Sequence, residues 1–164
     1  IKIQKRIPVA AGLGGGSSDA AAVLRALNQG WNLGLSLREL DQLSLSIDSD
    51  VPYCVYSQTA HVTGHGEQVE VLRPFPHYWA VVAKPKISVS TPTILGNVLE
   101  PVTMNEYPEI RQLKQRMEKL GADVVQMSGT GPTVFALCHN ESRARRLHNS
   151  LCGFCREVYL AMLL

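Results

Sequence analysis

Residues 12 to 18 read Gly-Leu-Gly-Gly-Gly-Ser-Ser, four glycines in five positions followed by two hydroxyls. Directly behind them Ala20, Ala21, Val23, Leu24 and Leu27 recur at helical spacing. A glycine run of this density belongs to a turn, because glycine packs nothing and loses the most chain entropy on ordering. The apolar stripe predicts a helix over residues 17–31, capped by Ser17, Ser18 or Asp19. A glycine turn that opens a helix lets the main chain approach an anion closely. The unpaired N–H groups and the dipole of the first helical turn then favour a phosphate. Ser17 and Ser18 add hydroxyls for phosphate or for a bound Mg²⁺. No Gly-Lys-Ser/Thr follows, so this is not a Walker A loop, and the third glycine of a dinucleotide fingerprint would fall on Ser17.

Composition sets the outer limits. With 164 residues, 45% apolar and 18% charged, the chain can bury a core of one large or two small domains. A net charge of +2 gives no electrostatic reason for nucleic-acid or membrane partners. Apolar runs such as Trp79-Ala-Val-Val-Ala83 are far too short for a membrane span, and residues 1–7 carry no signal-peptide core, so the expected location is the cytoplasm. Cys152-Gly-Phe-Cys155 has redox or metal spacing, but no second ligand pair matches it, which leaves loop or part-buried thiols as the expectation. His61 and His65 read as surface histidines around a hairpin, and Lys84 and Lys86 as strand-end lysines.

Along the chain, residues 1–7 alternate like a strand. Ser36-Leu-Arg-Glu39 is a capping box that opens a second helix reaching about Ile47. Residues 60–63 and 68–72 read as strands joined around Gly64-His-Gly66. Arg73-Pro-Phe-Pro76 is the strongest punctuation and marks a boundary between lobes 1–76 and 77–164. Beyond it come a strand over 78–83, a helix over 109–120, strands over 124–127 and 133–138, a helix over 141–151 and a strand over 157–163. That β-α-β-β-α-β order is ferredoxin-like, so the predicted class is α+β. An RNA-recognition domain shares this order, but Thr133-Val-Phe-Ala-Leu-Cys138 lacks its aromatic pattern.

Two further segments carry chemistry. Asp50 in Ser49-Asp-Val-Pro52 places a carboxylate between apolar stretches, where the bland reading is a turn or cap residue. Ser128-Gly-Thr-Gly-Pro-Thr133 is a hydroxyl- and glycine-rich turn between strands, which alone is as readily an ordinary hairpin as a functional one.

In this order the three segments resemble the galactokinase–homoserine kinase–mevalonate kinase (GHMP) superfamily. Longer blocks are similar to its branch that phosphorylates a diphosphocytidyl-methylerythritol on the non-mevalonate route to isoprenoid precursors. They are Ile7 through Ala22, Ser49-Asp-Val-Pro-Tyr-Cys-Val55, Lys84-Pro-Lys-Ile-Ser-Val-Ser-Thr91 and Gly96-Asn-Val-Leu-Glu-Pro-Val-Thr103. The resemblance implies a two-lobed fold and an ATP-dependent kinase. It implies an ATP site made of Pro8, Val9, Ala10, Ala11, Gly12, Leu13, Gly14, Gly15, Gly16, Ser17 and Ser18 with Ser128, Gly129, Thr130 and Gly131. Mg²⁺ accompanies the nucleotide, with Ser18 the candidate ligand, and Asp50 is the catalytic carboxylate. Two family segments have no counterpart here: the N-terminal strands with a lysine and a Gly-Tyr-His stretch, and helical sequence where Pro92-Thr-Ile-Leu95 now makes the join. Another GHMP kinase, or a truncated nucleotide-binding remnant without activity, are the alternatives. A smaller departure is Asp48, which stands where the family has glycine and is expected to face solvent.

Overall fold

A computed structural model describes residues 1–87, 89 and 99–163. The described chain forms two compact units, Gly14–Phe75 and Ile1–Leu13 with Pro76–Leu164. Residues 1–13, placed with the first lobe on sequence order alone, pack with the second unit.

The unit Gly14–Phe75 holds helices α1 (Gly15–Gly30), α2 (Leu37–Ser44) and α3 (Val51–Tyr56) and a hairpin of β1 (Ala60–Thr63) and β2 (Gln68–Val71). Its core is small: Ala21, Leu40, Val51 and Val55 are buried, with Ala20, Leu24, Leu35 and Cys54 packed around them. The capping box forms as expected. Ser36 accepts from the Glu39 N–H, and the Glu39 carboxylate accepts from the Ser36 hydroxyl at 2.7 Å and the Ser36 N–H at 2.8 Å; the hydroxyl first and then the N–H lower the Glu39 pKa. β1 and β2 pair antiparallel, with His61 opposite Glu70 and Val62 opposite Val69.

The other unit contains β3 (Trp79–Lys84), α4 (Leu99–Glu106), α5 (Pro108–Lys119), β4 (Val124–Met127), β5 (Val134–Cys138), α6 (Glu141–Cys152) and β6 (Glu157–Met162). The four strands make one antiparallel sheet in the order β4-β5-β3-β6, the ferredoxin-like arrangement expected from the element order. α5 buries Ile110, Leu113 and Met117, and α6 buries Ala144, Leu147 and Leu151. These i, i+3, i+7 stripes join Val81, Ala83, Val134 and Ala136 of the central strands in a single core. Truncating a fully buried leucine such as Leu113 to alanine costs about 2–5 kcal/mol in such a setting.

Three local expectations change. Residues 1–7 are not a strand: they lie in no sheet, and none of the described strands pairs with them, so the alternation has no ladder to join. α4 was not foreseen, because Pro101 reads as a breaker; it sits in the first turn, where a missing N–H costs nothing. α1 begins at Gly15, ahead of all three predicted capping residues. Its N-cap is Gly14 at φ 60°, a left-handed conformation that glycine adopts freely, so the helix starts two residues early. The join at residues 92–95 lies outside the described residues.

Candidate phosphate-binding and carboxylate site

The glycine segment divides into a packed part and an open part. Gly12 has φ +67°, and a Cβ there would lie 2.6 Å from the Ser128 carbonyl oxygen and 3.0 Å from that of Gly131. The Ser128 hydroxyl donates to the Gly12 carbonyl at 2.7 Å. The resemblance places Pro8 to Ser18 and Ser128 to Gly131 in one ATP site; within one unit Gly12 and Ser128 touch through backbone that only glycine permits. Ala11 beside Gly12 is buried.

The 128–133 turn is held on all sides. Ser128 N–H donates to the Thr133 carbonyl at 2.9 Å, and Gly131 N–H to the Ser128 carbonyl at 3.0 Å. Gly129 and Gly131 have φ of 57° and 84°, and the Gly131–Pro132 bond is cis. Thr103 of α4 is fully buried, donates to the Thr130 carbonyl at 3.4 Å, and sets its methyl 3.5 Å from where a Gly131 Cβ would be. Glu100 pairs with Lys114 and accepts from the Met127 N–H at 3.3 Å, tying α4, α5 and the end of β4 together. Thr103 and Glu100 were not singled out from sequence. The only signal was their place in the block Gly96 to Thr103, which reads as resemblance and not as chemistry.

The open part lies in the other unit. At Gly14 and Gly16 a Cβ would meet nothing within 4 Å. The N-cap of α1, Gly14, has no side chain to cap with, and the first turn carries no acidic residue. Ser17 is buried at the helix start and Ser18 is exposed, its N–H donating to the Gly14 carbonyl at 2.9 Å. The dipole at a helix start favours an anion there.

Asp50 precedes α3 as its N-cap residue but makes no side-chain cap bond. It is exposed, while Val51, Pro52 and Val55 behind it are buried. Its main chain is fixed from two directions. The Asp50 N–H donates to Asp48 Oδ1 at 3.2 Å, and Asp48 is exposed, as expected from the sequence. Arg25 of α1 donates to the Cys54 and Val55 carbonyls at 2.7 and 3.1 Å, satisfying the C-terminal end of a helix too short to hold itself. Burial, reinforced by the Asp50 charge, raises the Cys54 pKa. Behind α3 the Tyr56 hydroxyl donates to the buried Asp41 at 3.2 Å; burial and that carboxylate raise its pKa.

The remaining candidates resolve plainly. Among the described residues no group of three His, Cys, Asp or Glu could hold a metal ion. His61 and His65 are exposed, and Lys84 pairs with Glu157 at 3.2 Å. Cys152 and Cys155 are free thiols, and burial pushes Cys155 up to about 11, far from the reactive range. No described helix is long and apolar enough to cross a membrane.

Residues 1–58 match the GHMP kinases N terminal domain and residues 88–157 the GHMP kinases C terminal family. The 4-diphosphocytidyl-2-C-methyl-D-erythritol kinases of Limosilactobacillus fermentum and Limosilactobacillus reuteri are 64% and 60% identical to the chain, covering 100% of it and 69% of their own length. Both alignments run over 196 residues against 164 here, so at least 32 positions of each relative face no residue of this chain. That agrees with an internal shortening. A crystal structure of 4-(cytidine 5'-diphospho)-2C-methyl-D-erythritol kinase superimposes with a TM-score of 0.83 at 29% identity, over 97% of this chain and 68% of that one. A homoserine kinase from Cytophaga hutchinsonii shares the fold, with a TM-score of 0.79 at 17% identity over 98% and 68% of the two chains. With two thirds of its relatives' length matched at such identity, the chain belongs to the 4-diphosphocytidyl-2-C-methyl-D-erythritol kinase family of the GHMP kinases.

Proposed function

We propose that the protein transfers the γ-phosphoryl group of ATP to a hydroxyl on the methylerythritol part of 4-diphosphocytidyl-2-C-methyl-D-erythritol, in the cytoplasm, as a step toward isoprenoid precursors. The observation that carries this reading is Asp50: an exposed carboxylate that caps nothing, on a main chain pinned by Asp48 and, through α3, by Arg25. A turn residue retained for structure would spend its carboxylate on the helix it precedes.

Phosphoryl transfer asks the protein for positioning and charge stabilisation more than for covalent chemistry. The nucleotide phosphates rest at the start of α1 against the main chain of Gly14, Gly15, Gly16 and Ser17, at the positive end of the helix dipole, with the Ser18 hydroxyl beside them because its N–H already serves the Gly14 carbonyl. Pro8, Val9, Ala10, Ala11, Gly12 and Leu13 lead the chain into that turn, and Ser128, Gly129, Thr130 and Gly131 complete the nucleotide contacts. The nucleotide enters as its Mg²⁺ complex. Bound with the nucleotide, Mg²⁺ would neutralise phosphate charge, and the Ser18 hydroxyl would be this chain's contact to it. Asp50 orients the acceptor hydroxyl and takes its proton as the oxygen attacks phosphorus.

Asp50→Asn tests this directly. The amide keeps the shape and still accepts a hydrogen bond but is a far weaker base. In a coupled assay of ADP release, kcat falls by about 10²–10⁴-fold, or roughly 3–5 kcal/mol of barrier. ATP affinity by calorimetry and the melting temperature stay at wild-type values. Unchanged turnover in Asp50→Asn removes the catalytic assignment, and a variant that unfolds returns Asp50 to the status of a turn residue.

A further inference from the structure

The β1–β2 hairpin has no part in the mechanism above, yet its tip touches the backbone next to Asp50. Gly66 is buried between exposed His65 and Glu67. Its φ is +107°, and a Cβ placed on it would fall 2.0 Å from the Ser49 carbonyl oxygen and 2.9 Å from the carbonyl carbon. Real Cβ atoms do not come so close to backbone, so the hairpin and the 48–50 turn meet main chain to main chain. The tip is itself held in place: Gly66 N–H donates to the Thr63 carbonyl at 3.3 Å, and the Glu67 carboxylate accepts from His65 N–H at 2.6 Å. On the turn's own side, Asp48 Oδ1 accepts from both Asp50 N–H at 3.2 Å and Ser49 Oγ at 3.3 Å. The peptide that leads into Asp50 is therefore seated between a carboxylate and a side-chain-free hairpin tip, while the Asp50 carboxylate itself makes no cap bond.

We propose that Gly66 is a positioning residue for catalysis: the bare tip of the β1–β2 hairpin seats the Ser49–Asp50 peptide and so sets where the Asp50 carboxylate meets the acceptor hydroxyl. This rests on Asp50 being the catalytic carboxylate. Misplacement of a reacting group by about 1 Å can cost 10²-fold in rate, which is the scale at stake when an added Cβ must push Ser49 aside.

The experiment uses the whole chain. Gly66→Ala lowers kcat by about 10²-fold while the KM for ATP holds. Gly34→Ala, at φ +69° in the same unit with nothing within 4 Å of its Cβ, carries similar backbone strain without touching the turn and leaves kcat unchanged. In an Asp50→Asn background, Gly66→Ala adds little further loss, because both changes remove the same contribution. Deuterium exchange gives a readout independent of turnover: the Asp50 and Val51 amides exchange faster in Gly66→Ala and not in Gly34→Ala. If Gly66→Ala does not fold, Glu67→Ala replaces it; loss of the carboxylate that holds His65 N–H loosens the tip without adding an atom at Ser49, and it lowers kcat only when Asp50 is present. The proposal is overturned if Gly66→Ala matches Gly34→Ala in kcat and exchange, if its loss is additive with Asp50→Asn, or, where Gly66→Ala does not fold, if Glu67→Ala leaves kcat intact. A wild-type kcat in Asp50→Asn alone identifies a different failure, that of the catalytic reading, and the exchange data still decide whether Gly66 seats the turn.

Discussion

Gly12 and Gly16 stand four residues apart in one glycine run and answer to opposite constraints. Around Gly12 the chain is full: Ser128 and Gly131 carbonyls fill the space a side chain would need, and the Ser128 hydroxyl closes onto the Gly12 carbonyl. Around Gly16 there is nothing within 4 Å of a Cβ, and the N-cap of its helix, Gly14, is itself without a side chain. One glycine is required by the protein's own packing; the other leaves room for something that is not protein. A run that looks uniform as a sequence thus serves two physical ends, and substitution separates them.

The largest contrast is expected between Gly12→Ala and Gly16→Ala. Gly12→Ala is strained by its φ of +67° alone, at roughly 1–3 kcal/mol, and meets backbone at 2.6 Å as well. Its melting temperature falls sharply. Gly16→Ala sits in a right-handed helix with free space, so alanine's helix preference adds up to about 1 kcal/mol of stability. Its melting temperature holds or rises while ADP affinity by calorimetry drops, because a methyl group now occupies the phosphate's approach. If Gly16→Ala binds ADP as tightly as wild type, the open turn is not the phosphate site.

A smaller effect is expected at Thr103. Thr103→Val keeps the shape but loses the bond to the Thr130 carbonyl, worth about 0.5–1.5 kcal/mol. The KM for ATP rises with kcat nearly constant, and Thr103→Ser, which restores the hydroxyl, recovers it. A KM change in Thr103→Ser that is absent from Thr103→Val would point to the methyl contact with Gly131 instead.

The smallest effect concerns pH and leaves the site untouched. Asp123 accepts from His139 N–H at 2.8 Å and pairs with Arg143 at 2.8 Å, and the backbone bond, first among these causes, holds its carboxyl below the usual carboxylate range. A pKa lowered in the folded state contributes stability above the unfolded value of about 3.9 and loses it as pH falls through the folded value. The melting temperature therefore declines below about pH 4, and Asp123→Asn flattens that decline without altering turnover.

The capping box at Ser36, the stripes of α5 and α6 and the ferredoxin-like strand order were legible in the residues, because each depends on contacts three or four positions apart or on alternation along a strand. The glycine run was legible as a turn opening a helix, and α1 does start inside it, at Gly15. The alternation of residues 1–7 misled for the complementary reason: a strand exists only with a partner, and pairing is not local. Nor could sequence show that Gly12 meets Ser128, 116 residues away, that Thr103 holds the Thr130 carbonyl, or that Gly66 touches Ser49. In each case a glycine or threonine fits many local conformations, and only long-range packing selects one. Residue type and spacing determined which chemistry the chain can support; tertiary contact decided which of its glycines are filled by protein and which are left open.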